Sequence, residues 1–237
     1  MYFLASLPRS GSTLLASLLS QRSDTYVSPT SNLGETLGAI VSQFENNPAT
    51  KASQSTKAEL FRTMKSVADA KYADRKETII FDKGRHWPDP QIMETMTKVL
   101  GNQPKIVATV RPIAECVASF FEIDKGTDLR EWIKTSQLYQ HFIMSYKFLK
   151  AGYEKYPEQF CLVEYDHLVN NTQFELNRVA DFIGVNHVVY NPHIDQVKEN
   201  DNAWGIKDLH KLAPTIEPNK NNAKEILGEE YWELYQG

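Results

Sequence analysis

The chain has 237 residues, 41% of them apolar and 24% charged, with a formal net charge of −4. That length and apolar content suffice to bury a core and fit a single domain over residues 1–237. The negative balance argues against a general nucleic-acid binder, although it leaves room for a basic pocket.

The first apolar run, Tyr2–Ser6, is of strand length, and LPRSGSTLL (residues 7–15) follows it directly. A short strand, a turn rich in Ser and Gly, and a leucine-rich helix over Ser12–Ser20 form an architecture that cradles a phosphate. The backbone N–H groups of the turn and the positive end of the helix dipole converge on one anion. Gly11 lets the main chain approach that anion, while Ser10, Ser12 and Thr13 add hydroxyl donors. Superimposed on G-x-x-x-x-G-K-[ST], Gly11 and Thr13 fit, but Ser6 replaces the first glycine and Ser12 the lysine. Arg9 is the available cation, and its fork suits a tetrahedral oxyanion. The block therefore reads as a nucleotide or phosphosulfate site that is not built for Mg-ATP.

Further strands are expected at Thr78–Asp82, Lys105–Val110 and Phe160–Glu164, each short and rich in β-branched or aromatic residues. Helices are expected at Ala58–Tyr72, Pro90–Leu100, Ile113–Glu122, Leu129–Gly152 and Thr172–Ile183, the last with a capping-box spacing from Thr172 to Glu175. Gln43–Lys57 reads as a polar loop or weak helix, and Asn186–Pro218 as an irregular excursion. The alternation of strands and helices implies an α/β fold of three layers, with a mostly parallel central sheet flanked by helices. Ligands of such sheets sit at the carboxyl ends of the strands, so Arg9, Lys83, Arg111 and Tyr165 are expected to converge on one crevice.

Cys116 and Cys161 lie in different segments and read as reduced core thiols, which suits a reducing compartment. The six histidines are scattered, so no metal site is expected. No leader and no apolar run of membrane length is visible, so a soluble, cytoplasmic protein away from membranes is expected. The sequon Asn170-Asn171-Thr172 then carries no glycan.

In PKIVATVRPIAECVASFF (residues 104–121), a strand ends at Arg111, a helix starts after Pro112, and Ser119 lies two turns along it. Together with LPRSGST this segment resembles the P-loop sulfotransferases, whose 5′-phosphosulfate loop and 3′-phosphate motif it matches. One departure is that Pro112 follows Arg111 directly where the family usually carries Arg-Asp-Pro. CLVEYDHLVNNTQFELNRVADFIGV (residues 161–185) is similar to the strand, tyrosine-bearing loop and helix of that family, and TIIFDKGRHW (residues 78–87) to its lysine-bearing turn. The resemblance covers about two thirds of the chain and looks nearest the tyrosylprotein branch.

The resemblance implies a P-loop fold and an enzyme that uses 3′-phosphoadenosine 5′-phosphosulfate (PAPS) without a metal. Its acceptor would be a peptide, a glycan or a small molecule. Arg9, Ser10, Gly11, Ser12 and Thr13 would hold the 5′-phosphosulfate, Arg111 and Ser119 the 3′-phosphate, Tyr165 the nucleotide, and Lys207 a closing loop. Lys83 would stabilise the bridging oxygen. The base would be Glu35, matching the glutamate of the tyrosylprotein branch, or His86, which follows Lys83 by three positions. Two alternatives stand beside this reading: a P-loop kinase or NTPase, and a degenerate nucleotide-binding domain without turnover.

Overall fold

In the computed structural model, five parallel strands form one sheet in the order β2-β3-β1-β4-β5. The residues described are 1–124, 128–196, 199–206, 208–218 and 222–235. The strands are β1 (Tyr2–Ser6), β2 (Thr25–Thr30), β3 (Ile79–Lys83), β4 (Ile106–Val110) and β5 (Phe160–Glu164). Around them run α1 (Ser12–Leu19), α2 (Leu33–Asn46), α3 (Pro48–Ala52), α4 (Lys57–Lys71), α5 (Pro90–Leu100), α6 (Ile113–Ile123), α7 (Leu129–Thr135) and α8 (Gln137–Lys155). The last helices are α9 (Tyr165–Asn170), α10 (Thr172–Ile183) and α11 (Ala223–Leu234).

The two-residue period of the strands divides the core between two faces. Phe3 and Ala5 of β1 pack with Leu37, Met64, Met96, Phe120 and Phe142 of α2, α4, α5, α6 and α8. Leu4, between them, packs with Leu15 and Leu18 of α1 and Leu176 and Val179 of α10. Helices therefore cover both faces, and the expected three-layer α/β fold is observed, with every strand pair parallel.

Several elements differ from expectation. β2 has no counterpart among the expected strands; it carries Pro29, a residue without an N–H that an edge strand tolerates. Residues 33–46 form α2, so Gln43–Lys57 holds the end of one helix and the short α3. The single helix expected over Leu129–Gly152 breaks at Ser136, whose hydroxyl caps α8 at the Tyr139 N–H (3.3 Å) and donates to Asp124 Oδ2 (2.9 Å). The Thr172–Glu175 capping box does not form. Thr172 donates instead to Leu168 O (2.6 Å), and buried Glu175 pairs with Arg178 (2.5 Å). A complete capping box lies at Thr56 and Glu59, at the start of α4. No described helix is long and apolar enough to cross a membrane.

Asp82, fully buried at the end of β3, ties the sheet edge to its surroundings. Its carboxylate accepts from Ser31 Oγ (2.7 Å), Trp87 Nε1 (2.9 Å) and the Tyr72 hydroxyl. Burial and this carboxylate push the Tyr72 hydroxyl well above its ordinary range. Removing the carboxylate would strand three donors in the core. Asp82→Ala is expected to lower the unfolding free energy in urea by about 3 kcal/mol; a loss below about 1 kcal/mol would show that water replaces the carboxylate.

Candidate functional site

The turn after β1 is held in an unusual backbone conformation. Arg9 (φ 65°) and Gly11 (φ 92°) both lie in the left-handed region, a cost for Arg9 that glycine largely escapes. Ser10 between them is fully buried, and its hydroxyl donates to Leu7 O (2.5 Å) and Thr109 O (2.8 Å), with Thr109 Oγ1 at 2.7 Å. This side chain pins the turn to β4. Its hydroxyl thus faces the core, in contrast to the expected donor toward an anion. Ser12 and Thr13, one and two residues past Gly11, do line the cavity above the turn.

That cavity has a volume of about 390 Å³, and Arg9, Arg111, Tyr165, Arg85, His210 and Lys211 contribute to its walls. Tyr165, at the carboxyl end of β5, lies against the turn so closely that a Cβ on Gly11 would stand 2.7 Å from its ring. The Arg111 guanidinium stacks 4.4 Å from the centre of the same ring, and its Nε donates to Glu115 Oε2 (2.7 Å). Arg9 donates from Nε to Ser119 Oγ (3.1 Å) and from Nη1 to Leu209 O (2.8 Å). Burial, then repulsion from Arg111, pushes the Arg9 guanidinium below its ordinary pKa. The strand ends thus bring Arg9, Arg111, Ser119 and Tyr165 together. Lys207 lies outside the described residues.

Lys83, the last residue of β3, faces a second cavity of about 330 Å³. Glu35, Arg85 and His86 line it with Lys83 on one side, and Leu138, Met144 and Phe148 of α8 on the other. Lys83 Nζ lies 2.7 Å from Glu199 Oε1, with both side chains buried. Burial pushes the Lys83 ammonium below its ordinary range, and Glu199 opposes the shift. Glu199 also accepts from the Thr30 N–H (3.0 Å) and lies 2.9 Å from His210 Nδ1, which in turn is 2.6 Å from Asp201 Oδ1. Burial favours the neutral acid, but His210 and Lys83 outweigh it and hold the Glu199 carboxyl down at about 2.

The two base candidates occupy different settings. Glu35, in the first turn of α2, is exposed at the cavity. His86 packs on Gly34 so tightly that a Cβ there would stand 1.8 Å from Nε2. That nitrogen is buried without a partner among the described residues, and burial lowers the imidazole pKa.

Three participants escaped the reading of the sequence. Arg85 lines both cavities and carries the signal nearest to hand, two residues past Lys83. Glu199 and His210 belong to the stretch read as irregular, and a contact 116 residues away leaves no local signature. Glu199, Asp201 and His210 also bring three donor atoms of metal-ligand type within 4.8 Å of one another, although the ammonium of Lys83 already faces this group.

A parallel α/β sheet with a left-handed turn and several cations around a cavity at its carboxyl edge is an arrangement suited to an anion. Residues 2–188 match the model of the sulfotransferase family, and the chain belongs to that family. Among solved structures, the sulfotransferase domain from the curacin biosynthetic pathway aligns at a TM-score of 0.55 and 19% identity, over 98% of this chain and 97% of that one. The sulfotransferase domain of the Synechococcus PCC 7002 olefin synthase aligns at 0.52 and 20%, over 98% and 94%. A sulfotransferase from Alicyclobacillus acidocaldarius aligns at 0.51 and 15%, over 88% and 87%. At such identities the likeness is one of fold. No curated protein sequence matches this chain.

The depressed Glu199 carboxyl fixes the sign of an acid effect. Its contribution to stability is full above the ordinary value of 4.5 and is lost as pH falls toward about 2. The unfolding free energies of wild type and Glu199→Gln should differ by on the order of 2 kcal/mol at pH 7 and converge on acidification below about pH 4.5. A gap that ignores pH would assign it to packing rather than charge.

Proposed function

We propose that this enzyme transfers a sulfuryl group from PAPS to an acceptor hydroxyl or amine by in-line displacement, without a metal. The observation that carries the reading is the meeting of the left-handed turn, Arg9, Arg111 and Tyr165 around one polar cavity. A ligand with a 5′-phosphosulfate and a 3′-phosphate fits such a set, since the turn would cradle one anion and a second guanidinium lies beside the same cavity for the other.

Ser12, Thr13, Arg9 and the N–H groups of the turn would hold the phosphosulfate. Arg111 and Ser119 would hold the 3′-phosphate, with Tyr165 packed between the guanidinium and the turn. In the present arrangement Ser119 is bonded to Arg9, which links the two phosphate elements directly. Lys83 would stabilise negative charge on the leaving oxygen. Glu35 would take the acceptor proton, the role that the likeness to the tyrosylprotein branch suggests. Its exposure favours it over His86, whose Nε2 is sealed against Gly34. The acceptor, whether peptide, glycan or small molecule, would enter the second cavity and lie between Glu35 and the α8 wall. Cys116 and Cys161, both free and buried, suit a reducing compartment such as the cytoplasm.

The NTPase alternative is not favoured. Ser12 stands where the phosphate-binding lysine would be, and Asp82 is buried and committed to three protein donors.

Calorimetry with adenosine 3′,5′-bisphosphate in the absence of Mg²⁺ tests the donor site. Binding to wild type is expected, weakened in Arg111→Ala by about 1–3 kcal/mol for a lost charged hydrogen bond. Binding of Mg-ATP instead would overturn the proposal, and bisphosphate binding without transfer to any acceptor would support the degenerate domain. Lys83→Ala should keep the bisphosphate affinity while lowering turnover of PAPS by about 10²–10³; equal losses in both would make Lys83 a ligand anchor only.

A further inference from the structure

The side chains that line both cavities mark where a group can pass between them. They are Ser12, Arg85, Phe120, Leu209 and His210, and Arg85 is the permanent cation among them. Arg85 extends from the turn after β3, just beyond Lys83 and Gly84. Four neighbouring cationic groups are engaged. Lys83 faces Glu199, Arg9 donates to Ser119 and Leu209, Arg111 donates to Glu115, and His210 lies between Glu199 and Asp201. The Arg85 guanidinium donates no hydrogen bond to the described residues. Burial lowers its pKa most, while Glu199 attracts it and Arg9 repels it across the space they share. A half-buried fork of N–H donors without a hydrogen-bond acceptor among the described residues, set at the junction of two cavities, is suited to a group with several anionic oxygens.

We infer that Arg85 is a catalytic residue that holds the non-bridging oxygens of the sulfuryl group as it crosses from donor to acceptor. The inference rests on the reading of the two cavities given under Proposed function. In the step it serves, the bond between acceptor oxygen and sulfur forms while the bond from sulfur to the bridging oxygen of the 5′-phosphate breaks. The electron pair of the broken bond stays on that phosphate, adenosine 3′,5′-bisphosphate departs, and the acceptor proton passes to Glu35. Charge on the equatorial oxygens persists throughout, so a cation fixed beside them needs no rearrangement during transfer. The point charge of Lys83 and the planar fork of Arg85 divide the work: one meets the leaving oxygen, the other the group in flight.

The test compares two ligands that differ by the sulfuryl group. Calorimetric titrations of PAPS and of adenosine 3′,5′-bisphosphate are made on wild type, Arg85→Gln and Arg85→Lys, without acceptor. In Arg85→Gln the affinity for PAPS should fall by at least about tenfold, while that for the bisphosphate changes by less than about threefold. Arg85→Lys should recover part of the preference, because charge without the fork remains. Retained bisphosphate binding reports an intact fold. Equal losses for both ligands would make Arg85 an ordinary phosphate anchor and overturn the inference, as would no loss for either. A wild type that binds both ligands but lacks turnover would defeat the enzymatic reading and the catalytic role of Arg85 with it, while a selective loss of PAPS affinity would still mark Arg85 as the side chain at the sulfuryl group. A wild type that binds neither ligand would overturn both.

Discussion

The constraint on which this site depends is the holding of four cations at one edge of a buried sheet. Arg9, Arg85, Arg111 and Lys83 come from three turns that follow β1, β3 and β4 or end them. Water is largely excluded from Lys83 and Arg111, so mutual repulsion there is weakly screened. Counter-charge is supplied unequally. Glu115 meets Arg111 and Glu199 meets Lys83, whereas Arg9 is satisfied by a hydroxyl and a main-chain oxygen. The surplus is positive, although the whole chain carries −4. A dense polyanion settles such a surplus, which is why overall charge says little about the ligand of this pocket.

Glu199 does more than neutralise Lys83. Through Thr30 and His210 it fastens the segment after α10 across the ends of β2 and β3, and Leu209 of that segment caps Arg9. One carboxylate and one carbonyl therefore connect both cavities to the same length of chain. The placement of residues 199–206 and 208–212 is thus explained: it rests on contacts to distant strands and not on an internal periodicity.

Legibility followed the same division. The strand–turn–helix at Arg9 and Gly11 was readable because its parts are neighbours in sequence, as was the simpler one at Arg111. The alternation of strands and helices gave the layers for the same reason. Pro29 concealed β2, since a proline demotes a strand unless its place at the sheet edge is already known. The direction of the Ser10 hydroxyl was hidden as well, because its acceptors include Thr109 on a strand 99 residues away.

The second cavity shows where local reading stops. Its polar side is set by β3 and the start of α2, within reach of a motif, but its far wall is Leu138, His141, Ser145 and Phe148 of α8. Those positions, spaced by three and four residues, form one helical stripe that looks like any core-facing stripe in the sequence. Only their placement on the same cavity as Lys83 sets them apart. Met144, on the same wall, remains 46% exposed, and this apolar surface is what an acceptor would cover. On the proposed reading, donor binding would rest on turns and strand ends that the sheet itself sets in place. Acceptor choice would then rest on side chains of one helix, which can change without disturbing the sheet.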